Sequence, residues 1–85
     1  MNKKKMLQRM IQSRGKNVLF TDFVTVLEAF GFELDRTRGS HQIYVHKLNK
    51  RMISIQCDGK DAKPYQIKQF ISMIERYDLE MGEPS

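Results

Sequence analysis

Two histidines, one cysteine and a set of Lys and Arg residues are the groups in this chain with chemistry beyond packing. His41 stands in the stretch TRGSHQIYVH, straight after a turn-forming Gly39-Ser40 pair, and His46 closes the same stretch. A pair of imidazoles suggests the acid and base of phosphodiester cleavage, one taking a hydroxyl proton and the other protonating the departing oxygen. Strand geometry opposes that pairing. Positions five apart on a strand face opposite ways, and at about 3.3 Å per residue their backbones lie roughly 16 Å apart. If His41 works, it works without His46. An imidazole changes protonation near neutral pH, so one ring can serve as acid or base. The complementary transfer then falls to a Lys, Arg, Tyr, water or the ligand itself.

Arg36 and Arg38 precede the turn, while Gly39 and Ser40 offer backbone amides without bulky side chains, a setting in which a phosphate can approach closely. Arg51, Lys60 and Lys63 are expected to meet the same surface from the next hairpin and the following loop, stabilising added charge on phosphorus. Tyr44 either stacks on a base or fills the sheet. Beside this stands a plainer reading, in which a His after a Gly-Ser turn is an exposed polar residue and the Lys and Arg are solvated surface charge. His46 and Cys57 belong to the plainer reading. Cys57 has no second cysteine to bond and only His41 and His46 as soft partners, so neither a disulfide nor a metal site is expected, and no cofactor. The thiol itself is expected half-buried near a strand end. A nucleoside-triphosphate loop is excluded, because GKDAKP has a single Gly and no following Ser or Thr. Ser40 is badly placed as a nucleophile for His41, since neighbours on a strand point apart.

The charge is segregated. Residues 1 to 16 carry six basic side chains and no acid, and residues 17 to 35 carry four acids and no base. Residues 36 to 68 hold eight Lys or Arg against Asp58 and Asp61, and the remainder is net negative. A basic block of this kind suits a polyanion, where neutralised phosphates release counterions, and suits an acidic protein partner equally. With 85 residues the chain has room for one domain, and its 40% hydrophobic content is that of a globular protein. No apolar run approaches the roughly 20 residues that span a bilayer. The basic amino end lacks the apolar segment of a signal peptide, so a cytoplasmic protein with no membrane partner is expected.

Elements that could position these residues are readable from periodicity. Met6, Leu7, Met10 and Ile11 predict an amphipathic helix over residues 3 to 13. A second helix is expected from Thr21 as cap, with Phe23, Val26, Leu27 and Phe30 as its apolar stripe and Gly31 as its stop. Strands are expected over residues 32 to 37, 41 to 47 and 51 to 57, joined by short polar turns into an antiparallel meander. In the second strand His41, Ile43 and Val45 share one face, and Gln42, Tyr44 and His46 the other. After the loop CDGKDAK, Pro64 opens a last helix with a stripe of Ile67, Phe70, Ile71, Ile74 and Tyr77. The fold class is α+β: α-α-β-β-β-α, a three-stranded antiparallel sheet with helices on one face. Residues 78–85 are expected to form a loose tail.

The run VLEAFGFELDRTRGSHQIYVH, followed by GKDAKPYQIKQFISMIE, resembles the HicA family of toxins in bacterial type II toxin-antitoxin systems. Two separated motifs in order, spanning about residues 19 to 77, make the resemblance specific where GSH alone would not. It implies a fold similar to double-stranded RNA-binding domains and metal-independent cleavage of messenger RNA. It also implies a catalytic His41, with Gly39 and Ser40 shaping the turn, and a HicB-type antitoxin as partner. Two departures stand out. Many members carry a His shortly after the third strand, where this chain has Gln56-Cys57-Asp58, and the helix over residues 3 to 13 extends beyond the compact form of the family. That extension could pack on the core, dimerise, or contact RNA or antitoxin. A non-catalytic RNA-binding module and an inactive antitoxin-binding domain are the competing expectations.

Overall fold

The computed structural model describes residues 2–82. Its elements run α1 (Lys3–Gln12), α2 (Phe20–Ala29), β1 (Phe32–Arg38), β2 (His41–His46), β3 (Met52–Ile55), β4 (Cys57–Asp58), β5 (Asp61–Ala62) and α3 (Pro64–Arg76). β1, β2 and β3 form an antiparallel sheet in that order, and β4 and β5 form a separate small hairpin. This is the α+β arrangement expected from the sequence, with the sheet covered by helices on one face.

Register decides which residues go inside. Phe32 is partnered by His46, Tyr44 by Ile53 and Gln42 by Ile55, and of these Phe32, Tyr44, His46, Ile53 and Ile55 are buried. The opposite face carries Arg36 across from Ile43, Arg38 across from His41 and Ser54 across from Ile43. The β-branched pair Ile43 and Val45 therefore lies on the open face, half-buried, while a tyrosine and a histidine of the same strand line the core. An irregularity between Leu34 and Arg36 shifts the β1 register by one residue at Asp35.

Helix α2 buries the expected stripe, and its Phe23 and Phe30 meet Phe70 of α3 at ring-centroid distances of 5.7 and 5.4 Å. Phe32 of β1 reaches the same ring at 6.0 Å, edge to face. Such pairs add about 0.5–1.5 kcal/mol each to simple burial. They lock α2 and α3 onto the sheet. Helix α1 is capped by Asn2, whose side-chain oxygen accepts the Lys4 amide at 2.8 Å, and packs against α2. Met10 is fully buried, Met6 and Leu7 lean on the core, and Val18 with Phe20 completes the apolar stripe. The extension packs on the core.

Four local expectations change. Thr21 is not the cap of α2: the helix starts at Phe20, and the Phe20 amide donates to the Lys60 carbonyl at 2.9 Å. A backbone carbonyl from the β4–β5 hairpin thus serves a helix-start amide instead of a hydroxyl. The third strand breaks at Gln56, and CDGKDAK forms the β4–β5 hairpin where a loop was expected. Helix α3 turns Gln66 and Met73 inward with Ile67 and Phe70, leaving Ile71, Ile74 and Tyr77 half-buried. At the carboxyl end Leu79 is buried and the Gly82 amide donates to the Ala29 carbonyl at 2.7 Å, so residues 79–82 are docked where a loose tail was expected. Residues 83–85 of that expected tail lie outside the described residues. No helix of the described residues is long and apolar enough to cross a membrane.

Candidate functional site

The turn that presents His41 follows from Gly39. Arg38 and His41 are cross-strand partners, leaving Gly39 and Ser40 as a two-residue loop, with Gly39 at φ 58°. A glycine at the first loop position is what a type II′ hairpin requires, because an L side chain is strained there. His41 is then the first residue of β2, exposed, on the face turned away from the helices. The Ser54 hydroxyl of β3 lies 3.4 Å from its Nδ1, and the ring tautomer decides which of the two donates. Nε2 makes no hydrogen bond among the described residues, and the residue is exposed. Arg38 sits directly across the ladder, where side chains approach closely.

A polar relay draws a second cation to the turn. Lys63 Nζ donates to Gln56 Oε1 at 3.0 Å, and Gln56 Nε2 donates to Ser40 Oγ at 2.8 Å. The ammonium can only donate, so the Gln56 oxygen faces Lys63 and its NH₂ faces Ser40. The Gln56 amide donates to Gln66 Oε1 at 2.9 Å, which explains a glutamine buried at the start of α3. Gln56 thereby ties the β1–β2 turn, the strand end and α3 together. Lys60 is exposed at the tip of the β4–β5 hairpin, on the stretch that carries Lys63. Arg36 lies further along the open face and forms an exposed ion pair with Asp35, a kind of pair worth little in stability.

Of the residues expected to form the site, the structure therefore groups His41 with Arg38, Gly39, Ser40 and Lys63, and sets Arg36 at its margin, while Lys60 lies where its carbonyl meets the start of α2. Two others do not join it. Tyr44 is 4% exposed on the helix side of β2 and cannot stack on a base; its hydroxyl donates to Gln42 Oε1 at 3.2 Å. Burial first, and the Glu28 carboxylate second, pushes the Tyr44 phenol above its ordinary pKa. Three residues beyond His41, it had to fall on the opposite face. Arg51 follows the β2–β3 turn, at the other end of the strands from the β1–β2 turn, and its carbonyl accepts the His46 amide at 2.8 Å. Its guanidinium stacks over Tyr77, 4.3 Å from the ring centroid. Cys57 is exposed, not half-buried.

Sequence reasoning missed Ser54 and Gln56. Ser54 could be found by carrying the hairpin register across from Ile43, its cross-strand partner. Gln56 gave no signal, since its three bonds reach residues 7, 10 and 16 positions away.

An exposed imidazole with one free nitrogen, two cations and open turn amides on a three-stranded sheet backed by helices describes a small basic domain suited to handling an anionic chain. A family model described as HicA toxin of bacterial toxin-antitoxin matches residues 20–75, and the chain belongs to that family. It is therefore a toxin-antitoxin toxin with an antitoxin as partner. No curated protein and no solved structure matches it.

Proposed function

We propose that this toxin is a metal-independent mRNA interferase, an endoribonuclease that blocks translation in the cytoplasm and is neutralised by a HicB-type antitoxin. The observation that carries the reading is His41: exposed, steadied at Nδ1 by Ser54, open at Nε2, and flanked by Arg38 and the Lys63–Gln56–Ser40 relay. RNA lies with a phosphodiester at the turn. The 2′-oxygen attacks phosphorus, its proton leaves to a base, and the bond to the 5′-oxygen breaks as that oxygen gains a proton. The products are a 2′,3′-cyclic phosphate and a free 5′-hydroxyl. His41 handles one of the two protons, and Arg38 and Lys63 offset the charge added at phosphorus. His46 is not the second group, because it is buried at the far end of β2 and its Nδ1 is occupied by turn amides.

Incubating the purified protein with RNA in the presence of chelator tests the reading, since no step as drawn needs a metal. Chain scission leaving a cyclic phosphate is the expected result, lost in His41→Ala. Salt-sensitive binding without scission, equal in wild type and variant, would instead make the chain a non-catalytic RNA-binding module.

A further inference from the structure

We propose that the channel between the free edge of β3 and helix α3 receives an extended, acidic segment of the antitoxin, which joins the sheet as a fourth strand. The proposal rests on membership in a toxin-antitoxin family and not on RNA cleavage by His41. β3 is the margin of the sheet. The His46 amide donates to the Arg51 carbonyl, which sets the antiparallel alternation: residues 51, 53 and 55 turn their backbone groups to β2. Met52 and Ser54 turn theirs outward, both are exposed, and neither amide has a backbone partner there among the described residues.

The two edges of the sheet differ. β1 is guarded by its register irregularity and by Glu33, Asp35, Arg36 and Arg38, devices that keep another strand from pairing. β3 has no bulge, no proline and no charged residue within Met52–Ile55. Beside it runs a channel of about 520 Å³ whose α3 wall includes Ser72, Met73 and Arg76. Lys50, Arg51 and Arg76 line it without one carboxylate among the lining residues, and the stack on Tyr77 holds the Arg51 guanidinium in place.

A strand edge flanked by a helix is a known receptor for extended peptides: main-chain bonds supply affinity and alternate side chains supply selectivity. A nucleic-acid backbone cannot use this edge fully. Phosphates accept hydrogen bonds but donate none, so a chain of them cannot match the alternating outward amides and carbonyls of Met52 and Ser54 as the evenly spaced amides and carbonyls of an extended polypeptide do. Carboxylates at alternate positions of the incoming strand then meet Lys50, Arg51 and Arg76.

The test uses the whole chain with its cognate antitoxin, followed by amide hydrogen exchange and binding titrations. The Met52 and Ser54 amides are expected to gain protection in the complex. Lys50→Glu combined with Arg76→Glu should weaken binding about tenfold or more. Met52→Pro, which removes one outward amide and leaves the pairs to β2 intact, should do the same. Both variants should keep the circular dichroism of the wild type and any RNA cleavage by the free toxin. Unprotected amides, or wild-type affinity in the charge-reversed variant, would overturn the proposal. So would protection of the same amides by a single-stranded RNA oligonucleotide in place of the antitoxin. Failure of the ribonuclease reading shows separately, as absent scission by the free wild-type toxin.

Discussion

His41 and His46 stand at the two ends of one strand in opposite surroundings. His41 is exposed on the open face, its Nδ1 within 3.4 Å of the Ser54 hydroxyl. His46 is 8% exposed on the helix side, its ring edge-on to Phe32 at 5.1 Å between centroids. Its Nδ1 accepts the amides of Leu48 and Asn49 at 3.2 and 3.4 Å, organising the β2–β3 turn. Gly31 makes room for it, since a Cβ there would lie 3.3 Å from Nε2. Which face of the strand an imidazole occupies, and which donors claim its nitrogens, decides whether it is left exposed or built into the core.

That contrast can be broken most directly by truncating both rings. His41→Ala is expected to lower the single-turnover rate of RNA cleavage by about 10²–10⁴-fold, the span of a lost general acid or base, with an unchanged circular dichroism spectrum. Retained activity would reduce His41 to a surface residue. His46→Ala should do the reverse. It loses buried packing and orphans two turn amides, costing about 2 kcal/mol in urea denaturation, while cleavage per folded molecule persists.

Two smaller effects sharpen the picture of what surrounds each ring. Gln56→Leu cuts the relay that holds Lys63 at the turn, and a loss of about one hydrogen bond predicts roughly fivefold slower cleavage at saturating RNA. If cleavage is unaffected, Lys63 takes no part. Tyr44→Phe probes the helix side of β2. The raised phenol of Tyr44 stays protonated in the folded chain after an unfolded tyrosine has begun to ionise, near pH 10. Stability therefore falls as pH rises from there through the raised folded value. Alkaline denaturation should show a shallower loss of stability in the Phe variant over that pH range.

Much of this was legible beforehand, for reasons that differ by element. Helix α2 was clear because its apolar stripe and terminal glycine are local signals, and the two-residue Gly39-Ser40 turn because its backbone requirement is local too. The opposition of His41 and His46 needed only the two-residue period of a strand. The same rule already separated Tyr44 from His41, yet which face was buried was not evident, since Ile43 and Val45 make the open face look the more apolar one. Arg51 was misplaced because proximity along the chain says nothing about which end of a hairpin a residue occupies. The cap of α2 was misassigned because its amide found a partner forty residues on, at Lys60.

The linear order of residues determined the helices, the meander, the exposed turn and the separation of the two imidazoles, because each depends on backbone preferences and side-chain periodicity within a few positions. Only the folded molecule decided that Ser54 meets His41, that Gln56 links Lys63 to Ser40 in the preceding turn, and that Arg51 goes to Tyr77. Those contacts depend on strand register and on how α3 lies against the sheet, and both are set by the packing of the whole core around Phe70.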